Sequence, residues 1–359
     1  MNIKNIGKVM LTEFWGAWLI SIAALIFAYK IGGIAGLSAA LILCLFEVSI
    51  SFDNAVVNAM VLKKQSKAFQ TAFLTIGFLI GVIGMRLLLP LLIVALTTGL
   101  GFGEVYQLAL NQPEVYSEHL HAHHAEVMLF GGGFLMMVAL TWLFDHDRGV
   151  HWLGGFERRL SKLGHLSMIA AGVSLVLALI VVFQLPVEKR YAGLLAGVLG
   201  VTSYIFIGGL GDVLGGPEDT SGAAKAATKG LAAAISTFMF LEVRDASFSF
   251  DGVIGAFAIS KDIFIIMIGL GVGAQWVRSM TVFFVKRNTL SEYIYLEHGA
   301  HWAILALALL MFASALYEIP ETITGLIGLV LIGGSLCSSI YERKKRYAEI
   351  AAAKDAQEW

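Results

Sequence analysis

The stretch FEVSISFDNAVVNAM, residues 46–60, sets Glu47, Ser49, Ser51, Asp53, Asn54 and Asn58 into a run otherwise apolar enough for lipid. A second stretch, EVRDASFSFDGVIGAFAIS at 242–260, does the same with Glu242, Arg244, Asp245, Ser247, Ser249 and Asp251. A charged side chain at the centre of a bilayer costs at least about 2.5–3.5 kcal/mol, so such residues mark a pathway, a proton relay or an ion site. Every donor in the two runs is an oxygen or an amide, with no thiolate and no imidazole. That chemistry suits a hard divalent cation such as Mg²⁺, Ca²⁺ or Mn²⁺ rather than copper or zinc.

The two runs are copies of one another. EVSISFDNAV (47–56) aligns without gaps to DASFSFDGVI (245–254), pairing Glu47 with Asp245 and Asp53 with Asp251. Each is followed by a glycine-spaced span ending in arginine, IGFLIGVIGMR (76–86) and IGLGVGAQWVR (268–278), in which Ile, Gly, Gly and Arg recur at identical spacing. Arg86, Arg244 and Arg278 are then internal counter-charges. The chain divides into repeats at 1–186 and 187–345, followed by a cytoplasmic tail at 346–359. Residues six apart on an ideal helix differ by about 240° and about 9 Å. Glu47 and Asp53 therefore cannot chelate one ion from a straight helix, and the motifs are expected on broken helices with the serines and Asn54, Asn58 as further ligands.

The elements that must carry these residues are membrane helices. Of 359 residues 58% are hydrophobic and 14% charged, against about 45–50% and about 25% in soluble domains. The expected class is all-α and polytopic, with about ten spans at 14–29, 34–62, 69–99, 127–144, 168–186, 191–210, 231–259, 263–285, 298–316 and 321–340. Loop lysines and arginines number eighteen on one side and four on the other. The excess places both termini in the cytoplasm of a bacterial inner-membrane protein, with the motif copies entering from opposite sides as inverted repeats. The loop at 100–126 is then external. It carries no Lys or Arg but holds His119, His121, His123 and His124, which read as a polar loop of no fixed structure or as cation capture. Cys44 and Cys337 lie in apolar runs without metal-site spacing and read as packing residues.

The motif runs and the paired glycine-to-arginine spans resemble the TerC family of integral membrane proteins, within the lysine-exporter-like superfamily. That resemblance implies manganese export and tellurite resistance, with Glu47, Asp53, Asn54, Glu242, Asp245 and Asp251 as ion ligands. The residues themselves support secondary transport of a divalent cation exchanged for protons, with an uncoupled channel or a Ca²⁺ exchanger as alternatives. No resident cofactor, no nucleic acid and no catalysis are expected. The GLGD string at 209–212 matches an intramembrane aspartyl protease, but lacks that enzyme's partner motifs and reads as a glycine-rich turn. A membrane anchor working through the basic loop HWLGGFERRLSKLGH (151–165) is the remaining alternative.

Overall fold

The computed structural model describes residues 14–146, 148–166, 168–214, 223–287, 293–317 and 319–355. The described chain is all-α. It runs α1 (Trp15–Ile50), α2 (Phe52–Lys63), then α3, which starts at Lys67–Ala72 and continues through π-helical turns at Phe73–Gly77 and Ile80–Leu88 into Leu89–Thr98. There follow α4 (Phe102–Asn111), α5 (Pro113–Ala122), α6 (His124–Leu143), α7 (Gly155–Ser161), α8 (Ile169–Gln184), α9 (Val187–Leu214), α10 (Ala223–Ile259), α11 (Ile263–Arg287), α12 (Leu296–Ser314) and α13 (Glu321–Asp355). The protein is a multi-pass membrane protein.

Among the described residues seven helices are long and apolar enough to cross a membrane, or eight if the bent pair Gly155–His165 and Ile169–Gln184 forms one span. Ten were expected, and each difference has a cause. The expected stretches 14–29 and 34–62 meet in α1, the second running on through Ser51 into α2, and α1 reverses at Gly33 (φ 60°, ψ −148°), a backbone conformation open essentially to glycine alone. A Cβ on Gly36 would stand 2.9 Å from the carbonyl oxygen of Ala28, whereas residues eight apart on a straight helix are about 12 Å apart. Helix α8 has only 16 residues. The stretch at 231–259 lies in α10, which is helical throughout but has side chains at 232 and 248–251 outside the described residues, and so falls outside the seven. The last expected span lies in α13, which runs on as helix to Asp355.

The core centres on α6, which packs against α9, α10 and α12. Its Gly131–Gly132–Gly133 run permits the approach: Cβ atoms there would meet Met311 at 2.3 Å, Phe312 at 2.8 Å and the carbonyl oxygen of Gly197 at 2.9 Å. Lipid supplies no hydrophobic drive between helices, so close backbone contact through small residues does that work. Helix α11 lies along both legs of α1, with Ile265 packed between Ala28 and Ala40. Most of the large exposed apolar side chains belong to α1, α3, α8, α9 and α13, the outer ring.

The loops sort into two ends. At one, Lys64 pairs with Glu297 at 3.8 Å and Glu157 with His298 at 2.8 Å. At the other, Lys261 pairs with Glu114, and Lys189 Nζ donates to Ala122 O at 2.9 Å. The region at 100–126 is structured, contrary to the expectation of a loop without fixed form. Val105, Ala109, Tyr116 and Leu120 are buried at four-residue helical spacings along α4 and α5, and the Glu104 carboxylate accepts from the Gly101 N–H at 2.8 Å to cap α4. Cys44 is buried as expected, whereas Cys337 is exposed on α13.

Candidate functional site

Glu47 sits on the second leg of α1, 1% exposed. It lies about midway between the reversal at Gly33, roughly 21 Å of helix away, and Lys63, roughly 24 Å away. What lets α11 approach it is Gly273, where a Cβ would be 2.5 Å from the Glu47 Cβ. The carboxylate is paired with Arg86 Nη2 of α3 and accepts from Ser51 Oγ at 2.8 Å. Arg86 also donates through Nη1 to the Gly81 carbonyl at 2.7 Å. That carbonyl belongs to the π-helical segment, where widened turns alter the usual backbone pairing.

The motif helices were expected to break; the first is interrupted at Ser51, between α1 and α2, and the second is not. Ser51 departs from helix geometry (φ −101°, ψ 10°), yet the bonds Ser51 N–H to Glu47 O (3.0 Å) and Ala55 N–H to Ser51 O (3.2 Å) still run across it. The second motif lies in uninterrupted α10. It is α3, carrying Gly77, Gly81 and Arg86, that departs from α-helical pairing. Serine and asparagine side chains within the motifs satisfy one another or the backbone, so the ladder need not open.

A second polar cluster lies beside the first. Arg244, fully buried, donates through Nη2 to Asn58 Oδ1 and to Asn54 Oδ1 at 3.1 Å, and stands 3.8 Å from Asp245 Oδ1. Asn58 Nδ2 donates to Asp245 Oδ1 at 3.3 Å. Glu47, Ser51, Asn54, Asn58, Arg86, Asp245 and Arg278 all line one cavity of about 60 Å³. Arg278 Nε donates to the Leu74 carbonyl, and its guanidinium lies 5.2 Å from the Phe78 ring centre. A larger cavity of about 330 Å³ runs from Lys64, Gln65 and Glu297 to Arg244, with His301 in its wall.

Glu242 stands apart from both clusters. It is 7% exposed, it lies over Gly77, where a Cβ would be 2.5 Å from Glu242 Oε1, and neither carboxylate oxygen meets a donor among the described residues.

The two motif helices cross antiparallel: Gly252 lies against Ile50 and Glu47, while Asp245 meets Asn58. Each glycine span packs on the other copy's motif helix, Gly77 on Glu242 and Gly273 on Glu47.

The structure thus gathers Glu47, Ser51, Asn54, Asn58, Asp245, Arg86, Arg244 and Arg278, and leaves others out. Ser49 is exposed and bonded to Leu45 O at 2.7 Å, and Ser247 donates to Val243 O at 2.9 Å while packing on Gly131. The side chains of Asp53, Ser249, Asp251 and Asp212 lie outside the described residues. No group of three or more His, Cys, Asp or Glu side chains arranged to hold a metal ion occurs among the described residues. That covers His119, His121, His123 and His124; His123 instead lies 3.7 Å from Glu126.

One site was missed by the sequence reading. Glu157, 0% exposed, accepts from the Trp152 N–H (2.9 Å) and Trp302 Nε1 (2.7 Å) and pairs with His298 Nδ1 (2.8 Å), with His151 Nδ1 at 3.8 Å. Burial pushes its pKa up, but the bonds from His298 and Trp302, the His298 charge and the Trp152 amide outweigh this and hold it at about 2. The available signal was His298, His301 and Trp302, polar residues at helical spacing in an apolar helix.

Residues 52–346 match the family described as protein of unknown function, DUF475. The chain belongs to this family. It is also 30% identical over 120 residues to the uncharacterized membrane protein YceF of Bacillus subtilis, covering 33% of this chain and 46% of that protein. The chain spans about half the length of that relative. No solved structure matches. The resemblance to the TerC family is corrected by these matches. The manganese and tellurite expectations rested on it, and with no metal-holding group among the described residues they fall with it.

Proposed function

We propose that this DUF475 protein is a secondary transporter that exchanges a hard cation for protons across its membrane, without covalent chemistry. The observation that carries the reading is Glu242, a carboxyl at membrane depth with no donor for either oxygen among the described residues, beside a cavity lined by Glu47, its partner Arg86, and Asp245. A carboxylate stripped of water and left without a partner costs several kcal/mol. Carrying a proton removes that cost, and giving up the proton makes the site ready for a cation. The paired carboxylates are balanced by tethered cations in this state. Arg86 and Arg244 stand where a transported ion would neutralise Glu47 and Asp245; they stay charged as the ion enters, and the exchanged proton leaves from Glu242.

Inverted repeats at 1–186 and 187–345 are part of the proposal. The antiparallel crossing of the motif helices and the reciprocal glycine contacts support it. So does the unequal use of the two matched arginines, Arg86 on a carboxylate and Arg278 on a backbone carbonyl, because alternating access needs the halves to differ at any moment. With the Lys64 end in the cytoplasm, as the basic-residue excess favours, the 330 Å³ cavity is the inner entrance and Arg244 its floor.

The test is a flux screen in proteoliposomes, taking divalent and alkali cations one at a time under imposed pH gradients. A pH gradient is expected to drive at least one cation against its own gradient. Glu47→Gln and Asp245→Asn should each reduce that flux at least tenfold while the protein stays folded in the membrane. Cation flux that never exceeds its own electrochemical equilibrium would leave a channel, and no flux of any cation would leave the anchor reading.

A further inference from the structure

The segment between α6 and α8 has two faces with different chemistry. Its inner face is pinned. Glu157 and Ser161, one turn apart on α7, are buried, and Glu157 is held by Trp302 and His298 of α12. Its outer face is open and mixed: Phe156 is 55% exposed and Leu166 57%, beside exposed Arg158, Arg159 and Lys162. Glu157 is the sole acid between Arg148 and Leu166, and it is spent on the inner face. The outer face is therefore uniformly basic.

Its position decides what can meet it. The segment follows the end of α6 at Leu143 and turns by 103° into α8, which starts at Ile169. It lies at the same end of the molecule as Lys64 and Glu297. A short helix at this end of the bundle, bent 103° away from α8, is set across that helix rather than in line with it. Bulky apolar groups set beside lysine and arginine are the pattern of helices seated at the headgroup boundary.

We propose that residues 149–166 form a foot that binds anionic phospholipid headgroups, with Arg158, Arg159 and Lys162 on the phosphates and Phe156 and Leu166 in the acyl boundary. Glu157 makes the foot rigid by fixing its inner face to α12, so the basic groups are presented as a set. A protein partner with an acidic surface would satisfy the charges but leave the apolar residues without a reason.

The experiment is a binding titration of the full-length protein in neutral detergent with short-chain phosphatidylglycerol and, separately, phosphatidylcholine. The foot predicts a clear preference for phosphatidylglycerol that weakens as salt is raised. Each basic residue near an anionic surface contributes about fivefold, so R158Q/R159Q/K162Q together should cost about a hundredfold in that affinity. The triple variant changes only exposed side chains, and R159Q alone, expected to lose about fivefold, guards against a folding defect. Arg343, Lys344 and Lys345 changed to Gln serve as the control and should leave the preference intact. Equal affinity of the wild-type protein for the two lipids, or a triple variant that binds phosphatidylglycerol as the wild-type does, would overturn the foot.

Discussion

At the scale of single residues, the account turns on which buried charges have partners. Glu47 and Arg86 form a buried pair, and breaking one by removing a single partner costs about 3–5 kcal/mol, because the other charge is stranded. Arg86→Gln should therefore lower the unfolding midpoint in detergent strongly, while Glu47→Gln/Arg86→Gln should recover most of the loss. Equal damage in the single and double variants would mean the pair carries no coupling. Glu157 gives a pH prediction. Its pKa falls from an ordinary 4.5 to about 2 in the folded protein, so its contribution is full above 4.5 and is lost as pH falls toward 2. Protection of the amides at 152–161, the ratio of intrinsic to observed hydrogen exchange, should be high at neutral pH and fall below about 4.5, whereas Glu157→Gln should show low protection throughout. The sequence displayed Glu47, Asp245 and Glu242 plainly, because ionisable groups in an apolar run stand out. It hid Glu157, whose partner His298 is 141 residues away and whose own neighbours are basic.

At the scale of elements, the glycine spans were legible as a repeat, but their purpose was not. The spacing in 76–86 and 268–278 marks where one helix must approach another, and only the fold says which. Gly273 meets Glu47, and Gly77 meets Glu242. Gly273→Val should force α11 from α1, removing transport and destabilising the protein, while Gly103→Val, with nothing within 4 Å of its Cβ position, should do neither. Comparing flux and unfolding midpoints for the two variants checks this. The reversal at Gly33 was legible only as a break between two apolar stretches, since a positive φ leaves no mark beyond the glycine itself. The α4–α5 region was readable from Val105, Ala109, Tyr116 and Leu120, but the histidines drew the reading toward a loop.

At the scale of the whole molecule, the two ends of the bundle collect the loops that the basic-residue count assigns to two sides, Lys64 with Glu297 and Lys261 with Glu114. Cysteine labelling fixes which end is which: with the proposed orientation a thiol at position 121 reacts from outside, and one at position 64 reacts only after permeabilisation. Charge patterning, counted in the loops between the expected spans, made this sorting legible. The family could not be read in that way, because the motif resemblance rests on short runs whereas the DUF475 match extends over 52–346. The central claim is that Glu242 trades its proton for a cation. The direct measurement is proton release: purified protein in weakly buffered detergent, mixed with the cation that proves active in the flux screen, while a pH dye counts protons. The account predicts about one proton released per protein molecule at saturating cation, and none from Glu242→Gln. Cation binding without proton release, or the same release from the variant, would contradict it.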